Sequence, residues 1–418
     1  MTILAINAGS SSLKFALYPV LAGVVQPASL SGMIEGLQPG QGESPAPAPA
    51  HQPPPVGAAQ VVLSWRTQGA TDWQRTSLIP QAPAQSAMDV WDLAMQALQN
   101  VLQQTSAGSE LQAIAHRVVH GGEFYHQALR IDAAVLQALE GLCPLAPLHQ
   151  PHNLHGIRVM SRAFPHLPQI ACFDTAFHVT IPEEEHRFAV PEELYRRGVR
   201  RYGFHGLSYQ FLRDVLQRHS PRAQEKVVMA HLGNGASLCA MLGGQSCATT
   251  MGFSALDGLM MGTRSGAIDP GVLLHLLAQG QSAQEVQDLL YRQSGLLGVS
   301  GLSADMRTLR QSEDEPARLA IRMFTHRLVR ECGAMVACMG GLDVLAFTGG
   351  IGEHDQQLRF DVCQRLAFLG VRLDQARNCQ NDGVEAMAVH AADSAVEIWV
   401  ISTDEGRIAA QLAVNCSL

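Results

Sequence analysis

Apolar and polar positions along the chain follow two periods, and the period changes mark its elements. Residues 3–8 and 13–18 are apolar strands separated by a glycine and serine turn, and 29–37 and 60–67 read as further antiparallel strands. Met88, Trp91, Met95, Leu98 and Leu102 recur at helical spacing behind a Ser86/Asp89 cap, which predicts an amphipathic helix against a sheet. A strand over 111–119 carries Arg117 near its end, beside a glycine turn, and in open sheets ligands sit at the carboxyl ends of strands. Helices at 132–142 and 153–164 then precede a buried strand at 169–173 that ends at Asp174.

The second half repeats the alternation. Ser208 is expected to cap a helix over 209–219, and Ser282 with Glu285 forms a capping box for a helix through Gln293. Pro316 opens a long helix to about Met339, with Leu319, Met323, Leu328 and Val336 expected to be buried. Strands at 343–347 and 396–401 bracket a helix at 356–369 that Gly370 stops. The class is α/β, with a sheet in each half. The acidic, aperiodic stretch 182–195 suits a domain boundary, and 38–57, rich in Pro, Ala and Gly, is expected to be a flexible loop on a hairpin.

Two stretches share one design. Ile6-Asn7-Ala8-Gly9-Ser10-Ser11-Ser12-Leu13 and Ala230-His231-Leu232-Gly233-Asn234-Gly235-Ala236-Ser237-Leu238 both run from apolar strand through small-residue turn to apolar strand, 225 residues apart when aligned on Ser12 and Ser237. The offset, roughly half the chain, implies a duplicated fold. Such turns serve in ordinary hairpins, and they also let backbone N–H groups approach a phosphate chain closely. A third loop after an apolar strand, Thr348-Gly349-Gly350-Ile351-Gly352-Glu353, argues against chance turns. None is a Walker-type loop, because Lys14 lies inside a strand and not at the head of a helix.

Composition narrows the choice. The 418 residues suffice for two domains with their own cores, and 47% hydrophobic with 16% charged residues is a globular balance. No apolar run reaches membrane-spanning length and the N-terminus enters a strand directly, so a cytoplasmic location without membrane partners is expected. A net charge of −8 argues against nucleic-acid binding. The nine cysteines contain no C-x-x-C pair and read as reduced core thiols.

Three cationic side chains lie beside glycine turns: Arg117, His205 and Arg264. Singly each also fits a surface or packing role. As a set they suit a carboxylate and a transferring phosphoryl group, because the planar guanidinium matches both and stays charged.

The chain resembles the acetate kinase family, which includes propionate kinases. The resemblance rests on Ile-Asn-Ala-Gly-Ser-Ser-Ser-Leu-Lys-Phe from Ile6, His-Arg-Val-Val-His-Gly-Gly from His116, Ala-Pro-Leu-His from Ala146 and Phe-Asp-Thr-Ala-Phe-His from Phe173. Arg-Tyr-Gly-Phe-His-Gly from Arg201, His-Leu-Gly-Asn-Gly from His231, Leu-Met-Met-Gly-Thr-Arg-Ser-Gly from Leu259 and Phe-Thr-Gly-Gly-Ile-Gly-Glu from Phe347 complete it, in order along essentially the whole chain.

The resemblance implies the duplicated ribonuclease-H-like fold of actin, sugar kinases and Hsp70, with an interdomain nucleotide cleft. The domains would be 1–174 with 405–418, and 175–404 as the nucleotide-binding domain. It further implies reversible phosphoryl transfer from ATP to acetate with magnesium, or manganese in its place, in acetyl-CoA and organic-acid metabolism, by a homodimer. Carried over by motif, Asn7 and Glu405 would hold the metal, and Ser12 and Lys14 would meet the nucleotide phosphates. Arg117 would bind the carboxylate, Asp174 is the family's catalytic acid, and His205 and Arg264 would stabilise the transition state. His231, Leu232, Gly233, Asn234, Gly235, Asp305, Met306, Arg307, Gly350, Ile351, Gly352, Glu353 and His354 would enclose the nucleotide. Val119, Leu148, Phe204 and Ala255 would wall the acyl pocket.

Chemistry qualifies one role. A carboxylic acid titrates near pH 4–5, roughly like Asp or Glu, so the acceptor arrives ionised and needs no general base. Asp174 is therefore expected to orient metal, water or Arg117. Departures from the family pattern are Tyr209 for a second histidine, Ala255 for a proline, Ala267 for an acid, His354 for an asparagine and Gly406 for a second glutamate. Ala255 opens room for one more methylene, which keeps propionate as the alternative substrate. A nucleotide-dependent binding switch on the same fold is the alternative from another class, but it has no reason to pair Arg117, Arg264 and His205 with an apolar acyl pocket. A family member retained for interaction alone is the third reading that the departures allow.

Overall fold

The computed structural model describes residues 1–9, 11–37, 61–70, 72–78, 87–104, 111–380 and 385–417. The 38–57 stretch, Ser10 of the first loop and Ser86 of the expected cap lie outside them. The chain forms two compact units, Met1–Asp174 with Glu405–Leu418, and Thr175–Asp404.

In the first unit, β1 (Thr2–Ala8) lies between an antiparallel β2 (Ser12–Leu21) and a parallel β7 (Leu111–Val118). β2 also pairs with the short β3 (Val24–Val25) and with β4 (Leu30–Glu35), which leads on to β5 (Val61–Thr67) and β6 (Gln74–Leu78). On the other side β7 pairs in parallel with β9 (Gln169–Phe173), and the short β8 (Leu129–Arg130) closes that edge. α1 (Ala87–Gln104) sets Trp91, Met95, Leu98 and Leu102 into one apolar cluster with Leu13, Phe15, Ile34 and Leu63 of the sheet. Full burial of each such side chain is worth about 1.5–3 kcal/mol, which is what holds the helix down. α2 (Ala133–Glu140) starts at the Asp132 side chain, which accepts from the Val135 amide, and α3 (Gln150–Ala163) runs on before β9.

The second unit repeats the five central strands. β10 (Val227–Leu232) lies between an antiparallel β11 (Ala236–Leu242), itself paired with β12 (Gln245–Thr249), and a parallel β13 (Val344–Thr348). β13 pairs in parallel with β15 (Glu397–Ile401), and β14 (Ala386–Ala388) closes the edge antiparallel. The orders β4-β2-β1-β7-β9 and β12-β11-β10-β13-β15 match in sequence and direction. The second glycine loop therefore joins β10 to β11 as the first joins β1 to β2. After β15 the chain returns to the first unit as α15 (Glu405–Ser417).

Several expectations change in this unit. The 182–195 stretch lies inside it and forms two short helices, α4 (Glu183–His186) and α5 (Glu192–Arg196), each started by a proline. α6 runs Gly206–His219, and its N-terminal cap is His205, not Ser208. Ser208 sits in the first turn and points its hydroxyl elsewhere. α7 (Pro270–Ala278) precedes α8 (Ala283–Arg292), which carries the Ser282/Glu285 capping box with both hydrogen bonds made. α9 (Gly295–Ser300) and α10 (Met306–Gln311) lead into α11 (Glu315–Met339). In α11, Leu328 and Val336 are buried, but Leu319 and Met323 are exposed. The buried stripe runs through Ala317, Ala320, Phe324 and Leu328, a 3–4 spacing that turns Leu319 and Met323 away. α12 (Gly349–His354), α13 (Gln356–Arg365) and α14 (Gln375–Cys379) follow β13. Among the described residues the nine cysteines are free thiols, yet Cys338, Cys379 and Cys416 are exposed, so they are not all core residues.

Candidate active site

In the first unit the polar cluster forms at the carboxyl ends of β1, β7 and β9. Asn7 is next to last in β1, Arg117 next to last in β7, and Asp174 follows β9 directly. Parallel pairing in register brings these three ends level, and α15 adds Glu405 as its first residue. Arg117 Nε donates to Asp174 Oδ1 at 3.0 Å, and Nη2 to Oδ2 at 2.5 Å. Its Nη1 donates to Asn7 Oδ1 at 3.3 Å, and Glu405 Oε2 lies 3.3 Å from Nε. Asp174 is 1% exposed and Arg117 21%, so the carboxylate is shielded while the arginine side chain keeps some exposure. Burial alone would pull the Arg117 guanidinium down, but Asp174 and then Glu405 outweigh it and raise it, so the charge is held.

Lys14 stands directly across from Asn7 in the β1–β2 ladder and so shares its face, exposed. Ser12 opens β2, half-buried, at the glycine turn. Val119, buried, donates its amide to Asn153 Oδ1 at 3.0 Å, and Leu148 is half-buried in the turn before α3.

The second unit builds the equivalent corner from the equivalent strand ends. His231 is next to last in β10, directly across from Ser237 of β11. His205, at φ 60°, turns its ring onto His231, with ring centroids 4.2 Å apart. His205 Nδ1 meets Ser237 Oγ at 2.9 Å, and His231 Nδ1 meets Ser208 Oγ at 2.8 Å. Gly235 lies against this pair: a Cβ there would be 3.4 Å from His205 Nε2 and 3.8 Å from Arg264 Nη1. Three cationic or hydrogen-bonding side chains thus converge on one glycine loop. Arg264 Nη1 also donates to the Ala255 carbonyl at 2.9 Å, a bond that a proline there would make equally well.

Leu232, Gly233 and Asn234 continue the same loop, and a Cβ on Gly233 would lie 4.0 Å from the Gly350 amide, so the second and third glycine loops are neighbours. Gly349, at φ 76°, packs against the Leu232 backbone, with space for hydrogen only. Glu353 Oε1 accepts from Gly349 N at 2.9 Å and Thr403 N at 3.3 Å, tying the loop to the end of β15. Ile351 and Gly352 lie in α12, and His354 at its end is exposed. Asn234 Oδ1 and Ala304 flank Gly262, which brings the Asp305, Met306 and Arg307 segment alongside. There Asp305 caps α10 through the Arg307 amide, Met306 is buried, and Arg307 is exposed. Phe204 is buried, its carbonyl held by His178 Nε2 at 2.9 Å.

The acetokinase family model matches residues 66–411. The chain belongs to the acetokinase family. An acetate kinase from Rhodopseudomonas palustris is 46% identical over 406 residues, covering 96% of this chain and 95% of its own. One from Nitrobacter hamburgensis is 42% identical over 420 residues, covering 100% and 96%. Among solved structures, a propionate kinase from Francisella tularensis superposes with a TM-score of 0.84 at 33% identity, covering 98% of each chain. An acetate kinase from Porphyromonas gingivalis does so at 0.82 and 33%, again with 98% of each chain covered. The repeated strand order is accordingly the duplicated, actin-like ribonuclease-H-like fold of these acetokinase family members.

Family membership gives the departures a physical reading. A side chain at Gly406 would require Tyr18 to shift, because a Cβ there would run into the Tyr18 hydroxyl. Ala267 works through its backbone, its amide donating to the Gly258 carbonyl and its carbonyl accepting from Arg327 Nη1 at 3.1 Å. Ser208, Ser237 and Thr403 supply the hydroxyls around the two histidines, a use that the sequence pattern does not mark. Inside glycine-rich or capping contexts a serine reads as a turn or cap residue, so only position in the folded sheet reveals this use.

Proposed function

We propose that this chain transfers the γ-phosphoryl group of ATP reversibly to acetate, giving acetyl phosphate and ADP in one in-line displacement. The observation that carries the reading is Arg117, held by Asp174, Asn7 and Glu405 at the strand ends and still partly exposed. A carboxylate substrate supplies its own nucleophilic oxygen, which attacks the γ-phosphorus while the bond to the β–γ bridging oxygen breaks. No proton moves in that step. Arg117 binds the acceptor carboxylate, and Asp174 positions Arg117. His205 and Arg264 meet charge on the equatorial oxygens, and Val119, Leu148, Phe204 and Ala255 receive the short alkyl tail. The loops at Gly233 and Gly350, with Ser12 and Lys14, bind the nucleotide phosphates.

Asn7, Glu405 and Asp174 present hard oxygen donors with only two carboxylates. That suits a magnesium ion, or a manganese ion, that keeps waters and phosphate oxygens as its other ligands. Bound there, it would neutralise charge on the β- and γ-phosphates. Asn7 and Glu405 would hold it, and Arg117 would move off Glu405 to admit the substrate carboxylate. We assign the enzyme to the cytoplasm on its cysteine usage.

The experiment runs the reaction backwards: purified protein with acetyl phosphate, ADP and magnesium should make ATP, and EDTA should stop it. Hydrolysis of acetyl phosphate without ATP would overturn the reading. Propionate is the second reading, favoured by Ala255, and propionyl phosphate turned over faster than acetyl phosphate would select it.

We also infer a homodimer. α7 is Pro-Gly-Val-Leu-Leu-His-Leu-Leu-Ala and buries none of these residues, with Leu274 68% exposed. Ile268, Leu277, Leu319 and Met323 are likewise exposed in the same unit. A helix that is apolar but for His275, with none of its residues buried, is out of place in water, and a second copy of this chain would cover it.

A further inference from the structure

We propose that Tyr209 is a positioning residue for His205, acting through the Ser237 hydroxyl to keep the His205 ring proton on Nε2. The inference rests on the phosphoryl-transfer role given to His205 above. Tyr209 lies one turn beyond His205 at the start of α6, its amide donating to the His205 carbonyl at 3.0 Å, so both side chains leave the helix on one face. They converge on the same hydroxyl: Tyr209 Oη is 2.5 Å and His205 Nδ1 2.9 Å from Ser237 Oγ.

Proton bookkeeping supports the proposed direction. A serine hydroxyl has one hydrogen to donate and two lone pairs, and Ser237 is fully buried. Burial drives the Tyr209 phenol well above its ordinary range, so it remains protonated and has a hydrogen to give. Tyr209 therefore donates to Ser237, and Ser237 turns its own hydrogen onto His205 Nδ1. A neutral ring that accepts at Nδ1 carries its proton at Nε2. Nε2 is the nitrogen that faces Gly235 beside Arg264, where a donor is of use to a phosphoryl oxygen. The neighbouring ring repeats the device with other groups: His231 Nδ1 meets Ser208 Oγ, which meets Thr403 Oγ1 at 3.1 Å. In this reading Tyr209, where the family usually has histidine, is a working substitute and not a mark of lost function.

The test combines a tautomer measurement with a double-mutant cycle on the full-length protein. Histidine 15N resonances, with His205 assigned by its loss in His205→Asn, should show Nε2 protonated and Nδ1 unprotonated in the wild type. Tyr209→Phe keeps the ring and frees the Ser237 hydroxyl, so it should shift His205 toward Nδ1 protonation. It should also lower kcat about tenfold, with KM for ATP within about twofold. Ser237→Ala should cost a similar factor, and the double variant no more than the larger single loss. A wild-type His205 protonated at Nδ1, an unchanged tautomer in Tyr209→Phe, or losses that multiply in the double variant would each overturn the proposal. Because the NMR readout needs no turnover, it separates failure of the positioning role from failure of the kinase reading.

Discussion

Arg117 holds four relations at once, and its neighbours set what each substitution should do. Asp174 is almost fully buried, so Arg117→Ala removes its charge-assisted hydrogen bonds to the guanidinium, and about 1.5–3 kcal/mol of stability should be lost in urea titrations. Its kinetic signature should be a lower kcat and a raised KM for acetate, with KM for ATP little changed. Asp174→Asn should lower kcat and weaken the magnesium dependence. A loss of rate with magnesium affinity unchanged would contradict an orienting role of Asp174 toward the metal and leave only its hold on Arg117. A separate effect comes from buried histidines. Desolvation holds His116, His120 and His178 at about 4, below the ordinary 6.5. The unfolded chain takes up these protons first, so stability is intact above about pH 6.5 and falls as pH drops toward 4, by up to about 3 kcal/mol per histidine. Urea midpoints at pH 7.5 and pH 5 check this, and equal midpoints would contradict it. At this scale the sequence made Arg117 visible through its strand end and glycine turn. Asp174 needed the family resemblance, because one carboxylate after a buried strand has no pattern of its own.

The elements place the chemistry by repetition. Parallel strands in register bring their carboxyl ends level, so a loop after each delivers side chains to one corner without long-range design. The third loop shows the backbone constraint that follows. Gly349 sits at φ 76° with the Leu232 carbonyl 2.7 Å from where a Cβ would be. Gly349→Ala should cost about 1–3 kcal/mol and raise KM for ATP more than KM for acetate. An unchanged KM for ATP would remove this loop from the nucleotide site. Strands and long helices were readable because periods of 2 and 3.6 persist over many residues. The start of α6 was not, because His205 adopts a left-handed conformation that no side-chain pattern announces. Leu319 and Met323 misled for a different reason: apolar residues at helical spacing predict a covered face, and here both side chains are exposed.

At the scale of the molecule, duplication was legible from two loops 225 residues apart, and the structure extends it to five strands in matching order. The apolar α7 has no counterpart in that logic, which is why it points outside the chain. Leu274→Asp with Leu277→Asp should turn a dimer into a folded monomer by light scattering, and a wild-type monomer would contradict the inference. The most direct test of the whole account is to mix the protein with magnesium, ATP and hydroxylamine, adding acetate, propionate or butyrate in turn. The account predicts hydroxamate that depends on the acid, strongest with acetate, weaker with propionate and least with butyrate. ATP consumed at one rate whether or not a carboxylate is present, with no hydroxamate trapped, would contradict it.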